Sequence, residues 1–471
     1  MHKSWIVFTV SLLTSSASAS PLSIAEAVET ALRENPSIRG ALATAQAAQA
    51  RIGQARSTWL PQVTASSQVR ADTSYQTGVA QGAEAVNTLR YSGGVQLSQL
   101  IYDFGRTSAR IGGAEAGTAA AQADSETIRS QVALRAIGSF YAVLQAEALR
   151  EVSRRTLEQQ QQRRLQAESF FRIGTRPEID VLIARTAVAN AELALVQSES
   201  SVYTARTQLL EALGIQSEHE PPAHATGTPG GPQAWLDRPL QSVASPPLAV
   251  ESSEPPIDTL LDEALRHRPD YAAQRERVRQ AESTVAALRG DYLPQLSLGV
   301  NGQLSGSIGG LTVGTVGGTS RLDVPTAGQP GFGLTGSLSL SWPLISGLAT
   351  VYGLREAHAN LQSARASLDA LRLSMRSQLL AALYQLRAAV RSVQAAQALA
   401  TQAGRQLEMA RGRYQAGVGN AIELGDASVT AASAQAQRVQ AEYALYGARA
   451  TLLWHLGQLI PTQRPMSPPL L

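Results

Sequence analysis

The stretch Gln295-Leu296-Ser297-Leu298-Gly299-Val300-Asn301-Gly302-Gln303-Leu304 decides how this chain folds. Leu296, Leu298, Val300, Gly302 and Leu304 alternate with Gln295, Ser297, Gly299, Asn301 and Gln303, a period of two that belongs to a strand. Phe332, Leu334, Gly336, Leu338, Leu340 and Trp342 alternate in the same way with Gly333, Thr335, Ser337, Ser339 and Ser341. The first half of the chain holds two similar runs. Val63, Ala65, Ser67, Val69 and Ala71 alternate with Gln62, Thr64, Ser66, Gln68 and Arg70; Tyr91, Gly93, Val95 and Leu97 alternate with Ser92, Gly94, Gln96 and Ser98. Strands of about ten residues, apolar on one face and small-polar on the other, fit a lipid-facing barrel with a wet lumen. A half-buried strand of a soluble sheet alternates identically.

The start of the chain tips that balance. Lys3 precedes an apolar run from Trp5 to Leu13 and then Ala17-Ser18-Ala19. This reads as a secretory signal over 1–19, cut before Ser20. The run is too short to cross about 30 Å of hydrocarbon, and no later stretch supplies roughly 18 uninterrupted apolar residues. An exported chain without a helical anchor can span a membrane only as strands in a closed barrel. Closed membrane barrels need about eight strands or more, so several identical chains must each contribute four.

Composition removes other classes. The 471 residues are 44% hydrophobic, 5% aromatic and 16% charged, with 38 Gly and 22 Pro. Such a chain suits closely packed helices better than one thick core. The net charge of +3 carries no nucleic-acid signature. Cysteine is absent, which excludes disulfides, thiolate metal sites, Cys nucleophiles and lipidation of an N-terminal Cys. Lys3 is the only lysine, so there is no Walker phosphate loop and no Schiff-base lysine. The six histidines show no metal-ligand spacing, and no nucleophile motif supports a catalytic triad. The glycines of 305–331 lack a following Lys or helix start and read as an external loop. No catalytic residue, metal or cofactor is expected.

The chain is an internal duplication. Asn35-Pro36 matches Arg268-Pro269, and Trp59-Leu60-Pro61 matches Tyr292-Leu293-Pro294, both pairs at one common offset. Phe171-Arg172-Ile173-Gly174 matches Tyr414-Gln415-Ala416-Gly417, and Ile179-Asp180 matches Ile422-Glu423, at a second, slightly longer offset. The shift of ten between the two is expected in the Gly-rich stretch 305–331. Each half reads as short helices, a strand pair, a very long helix and a returning helix. The first repeat spans 20–215, with Ser23 capping a helix up to Glu34, a second helix over about 38–58, and strands over about 62–71 and 89–102. A Pro-rich linker, 216–256, joins it to the second repeat over 257–460, with strands over about 295–304 and 332–342. A Pro-rich tail fills 461–471. Long Pro-free helices are expected over 106–173 and 349–416, each on the order of 100 Å. They turn back at Gly174 and Gly417, where glycine supplies the left-handed conformation.

With these features the chain resembles the TolC family of outer-membrane channel-tunnels. The resemblance rests on the duplication, on the junctions at Pro61 and Pro294, and on Leu100-Ile101-Tyr102-Asp103-Phe104-Gly105 before the first long helix. Tyr414-Gln415-Ala416-Gly417 with Ile422-Glu423 at the second turn completes it. It implies a mainly α fold with membrane β, in which long antiparallel helical hairpins form a periplasmic α-barrel. Four strands per chain would build a trimeric, 12-stranded barrel in the outer membrane of a Gram-negative bacterium. The implied partners are a homotrimer, outer-membrane lipid, a periplasmic adaptor protein, an inner-membrane ABC transporter and an exported protein substrate. Without Cys the chain is similar to the unlipidated branch serving type I secretion, including exporters of RTX toxins such as adenylate cyclase–haemolysin. Small-molecule or drug efflux is the alternative within the class, and a soluble periplasmic helical scaffold the alternative outside it.

The resemblance also implies a gate. Asp180, Glu423 and Asp426 match positions where the family places carboxylates at the constricted periplasmic entrance, where three-fold symmetry makes rings of like charge. Acids in the first turn of a helix also simply favour its dipole. Tyr414 matches an aromatic that latches neighbouring helices closed, or else packs at the turn. The family's latch arginine is replaced here by Gly419, and Arg411 or Arg413 are the expected substitutes.

Overall fold

The computed structural model describes residues 21–77, 83–215, 238–241, 256–316, 319–323 and 329–459. The expected export signal at 1–19 and the tail from 461 lie outside them. The chain divides into two compact units. One comprises residues 42–124 and 270–371, the other 1–41, 125–269 and 372–471.

The first unit holds a sheet. Strands β1 (Gln62–Thr77) and β2 (Ala83–Tyr102) form an antiparallel hairpin, and β2 pairs with β3 (Gln295–Val316). The outer side of β3 is taken first by β4 (Thr319–Asp323) and then by β5 (Gly331–Ser341). Successive segments of one returning ribbon, β4 and β5 make the sheet four ribbons wide. Apolar residues meet apolar residues along much of these ladders: Leu97 opposes Val300, Val95 opposes Gly302, and Leu298 opposes Leu338. Polar meets polar on the other face, as Gln96 against Asn301 and Ser297 against Ser339. One slipped residue would invert this separation, so the pattern fixes the register. The apolar face is bare: Phe332 is 75% exposed and Leu338 67%. Among the described residues, β1 pairs only with β2 and β5 only with β3, leaving an open edge on each side.

The strands outrun their sequence expectation. Residues 305–331, expected as an external loop, instead carry β3 on to Val316 and include β4. Where side-chain alternation lapses, backbone pairing still holds the strand, with β2 as far as Thr312 and with β4 from Thr312 to Val316. At Gly306 a Cβ would collide with the Tyr91 hydroxyl, so the ring of Tyr91 lies where a side chain would stand.

The strands join the long helices through matched devices. Helix α3 (Arg106–Arg172) follows β2, and its Thr107 N–H donates to the buried Asp103 Oδ2 at 2.7 Å. Two left-handed residues, Phe104 (φ 53°) and Gly105 (φ 88°), set the corner. In the second half Ser346 Oγ accepts from Thr350 N at 3.5 Å, with Gly347 (φ 61°) and Leu348 (φ 69°) left-handed. The two left-handed pairs occupy equivalent positions in the two repeats. Pro61 and Pro294 each precede the first residue of a strand, where a missing N–H costs no ladder bond.

The remaining elements are helices. Helix α1 (Ile24–Glu34) opens on Ser23, whose Oγ accepts from Glu26 N at 3.2 Å, and α2 (Pro36–Ser57) follows. Helix α4 (Glu178–Leu213) returns from α3. Helices α5 (Ile257–His267) and α6 (Pro269–Arg289) repeat α1 and α2, and α7 (Ala349–Gln415) and α8 (Ala421–His455) repeat α3 and α4. The core gathers Ala27, Ala31, Phe140, Val143, Leu209 and Leu213, all buried. Tyr141 stacks on Tyr446 at 5.0 Å, tying the first hairpin to the second. An 18-residue window of α3 reaches a mean hydropathy of 1.2, with a third of it buried. Within the linker, residues 238–241 are packed: Leu240 bridges Leu22 in parallel, and Arg238 pairs with Glu26 at 2.8 Å.

Each return helix ends on a glycine against the junction of the short helices. Gly214 (φ 77°) closes α4, and a Cβ there would lie 2.6 Å from Asn35 Cα. Gly457 (φ 75°) follows α8, and a Cβ would lie 2.8 Å from the His267 carbonyl carbon. Asn35 Nδ2 donates to Ala212 O at 3.0 Å and fixes the first of these contacts.

Candidate functional site: the paired hairpin turns

The two helix turns are built alike. Thr175 N donates to Phe170 O and Gly174 N to Phe171 O, with Gly174 at φ 76°. Val418 N donates to Arg413 O and Gly417 N to Tyr414 O, with Gly417 at φ 82°. In both, a left-handed glycine lets the chain cap the last carbonyls of a long helix and reverse. The entry to the returning helix differs. Asn420 caps α8 through Glu423 N at 2.6 Å, whereas Pro177 offers α4 no side-chain cap.

The structure brings the two turns together around Tyr414. Its ring is buried and lies 6.2 Å from the ring of Phe170, beside Leu424 and Ala427. The phenol donates a long hydrogen bond, 3.4 Å, to Asp180 Oδ2, and Asp180 is itself buried. Burial raises the Tyr414 pKa above the usual tyrosine value and the Asp180 charge adds to it, while Arg176 opposes both. The hydroxyl is therefore a donor throughout the physiological range.

Arg176 completes the arrangement. Its guanidinium lies 4.8 Å from the Tyr414 ring centroid, and Nη2 donates to Gly419 O at 2.9 Å and to Tyr414 O at 3.4 Å. Arg411 and Arg413, the expected replacements for the missing latch arginine, do not make these contacts. Arg413 pairs with Glu423 at 3.4 Å, both exposed. Arg411 instead faces another cation, Arg163, whose pKa is lowered by burial and then by the Arg411 charge. Arg163 donates to Leu424 O at 3.4 Å, and Gln160 to Ser428 at 3.2 Å, further links between the hairpins.

Sequence reasoning missed Arg176, yet the signal was present. Arg176 and Gly419 are separated by the same offset as the two turn motifs, so they are the same position in the two repeats. The arginine sits in the first half and binds the backbone of its counterpart in the second. A Cβ at Gly419 would lie 3.0 Å from Tyr414 N, so the bare glycine allows this tight wrap. Of the three expected carboxylates, Asp180 is buried against Tyr414, while Glu423 and Asp426 are exposed. No group of His, Asp and Glu suited to a metal occurs among the described residues.

Sequence comparison places both repeats in one family. The family described as outer membrane efflux protein matches residues 27–215 and 260–458. Protein CyaE of Bordetella pertussis is 26% identical over 342 residues, covering 72% of this chain and 64% of CyaE. The chain thus spans less than two thirds of that relative's length. Among solved structures, the outer-membrane channel OprN overlays with a TM-score of 0.71 at 23% identity, covering 92% of this chain and 89% of OprN. The CmeC outer membrane channel of Campylobacter jejuni overlays with a TM-score of 0.72 at 17% identity, covering 93% and 86%. These two likenesses speak for the fold. With both halves matched in order, the chain belongs to the outer membrane efflux protein family.

Proposed function

We propose that three copies of this chain close one barrel through the outer membrane, and that their helices extend a tunnel across the periplasm. The observation that carries the reading is the sheet: four ribbons, one face bare and apolar, with an open edge on either side. Lipid satisfies the bare face but cannot satisfy unpaired edges, so the edges must meet those of further copies. Three chains of four ribbons give twelve strands.

The tunnel passes substrate from an inner-membrane ABC transporter and a periplasmic adaptor to the exterior, with ATP spent elsewhere. The absence of cysteine and the similarity to CyaE support type I secretion of a protein. The family description favours the second reading, small-molecule efflux. At rest the paired turns hold the entrance shut, with Arg176, Tyr414 and Asp180 as the latch and Glu423 and Asp426 as a ring of like charges.

Purified protein should run as a heat-modifiable trimer from outer-membrane fractions and conduct ions across a planar bilayer. A washable, non-conducting monomer would retire the reading. Disruption of the gene separates its branches: a polypeptide lost from the medium indicates secretion, and sensitisation to drugs with an unchanged medium indicates efflux.

A further inference from the structure

Among the described side chains, the polar face of the sheet carries little charge. Its described side chains are mostly Ser, Thr, Gln and Asn, and only three are ionised: Arg70, Asp72 and Arg90. Arg70 and Arg90 stand directly opposite each other across β1 and β2. Like charges so placed destabilise a strand pair. One carboxylate serves both, with Asp72 Oδ1 2.7 Å from Arg70 Nε and Oδ2 3.9 Å from Arg90 Nε. Both arginine side chains remain 69% exposed. They form the charged wall of a hollow of about 560 Å³ lined otherwise by residues such as Gln68, Gln303 and Ser305. Two guanidiniums against one carboxylate leave an excess positive charge within this cluster. Their planar forks match the paired oxygens of a carboxylate or phosphate.

We propose that Arg70 and Arg90 form a binding site for a multiply charged oxyanion, either a small free anion or the carboxylates of a polypeptide in transit. Its placement inside a pore rests on the channel reading, in which three such pairs ring one lumen whose low-dielectric wall focuses their field.

Equilibrium dialysis of the full-length protein in detergent at low salt tests the site, with pyrophosphate and hexaglutamate as separate probes. At least one probe binds the wild type. Arg70→Gln with Arg90→Gln weakens that binding tenfold or more. Asp72→Asn strengthens it by freeing both guanidiniums, a change that a merely structural role for the cluster would not produce. Arg70→Lys with Arg90→Lys, which keeps the charge and loses the fork, falls between. Binding of pyrophosphate alone marks a small anion as the ligand, and binding of hexaglutamate alone an acidic chain. The proposal is overturned if neither probe binds, or if the double glutamine variant binds as well as the wild type. Wild-type protein that binds a probe yet carries no current would retire the channel reading and leave the site standing.

Discussion

Tyr414 is held from two directions, and its two contacts are unequal. The hydroxyl bond to Asp180 is long, so Tyr414→Phe should relax the closed turns by about 0.5–1 kcal/mol, a few-fold rise in open probability. Arg176 makes two hydrogen bonds from a charged donor and covers the ring, so Arg176→Ala should raise it by roughly tenfold or more. Single-channel recording ranks the two, and a larger effect from Arg411→Ala than from Arg176→Ala would show the latch to be misassigned. The pH dependence has a definite sign. The Tyr414 pKa is raised by folding, so the contact is fully present below the ordinary tyrosine value of about 10 and is lost only as pH climbs through the elevated one. This contact should therefore leave conductance flat between about pH 6 and 9 and release the gate only in strong alkali.

The elements carry a test of the duplication. Gly174, Gly417, Gly214 and Gly457 are all left-handed, so alanine costs about 1–2 kcal/mol at each from backbone strain. At Gly174 and Gly417 nothing lies within 4 Å of the added Cβ, and the cost stops there. At Gly214 and Gly457 the Cβ strikes the backbone of the short-helix junction. Thermal denaturation should accordingly show Gly214→Ala and Gly457→Ala markedly less stable than Gly174→Ala and Gly417→Ala; equal losses would mean that the junctions yield. The helix limits were legible because proline, capping and glycine act locally: the run expected over 106–173 is helical over 106–172. Strand length was not, because beyond Leu304 the pairing is decided by neighbours in space and the residues themselves, largely Gly, Ser and Thr, are silent. The same holds for Arg176, whose role depends on a turn in the other repeat.

For the assembled molecule, the exposed carboxylates at the turns make the sharpest prediction. If Glu423 and Asp426 ring the entrance, Glu423→Ala with Asp426→Ala should lower cation selectivity, read as a shift in reversal potential under a salt gradient. An unchanged potential would return both residues to the simpler role of favouring a helix terminus. The bare edges of β1 and β5 bear on how cells make this protein at all. A solitary newborn subunit exposes two rows of unquenched amide groups and a greasy sheet, the traits of an aggregating species. If copies close one barrel as proposed, biogenesis must synchronise bilayer entry with mutual recognition among siblings, and its rate should depend steeply on expression level. In that assembly a subunit shorn of β1 would poison its intact companions, since a single defective seam leaves the whole ring unsealed.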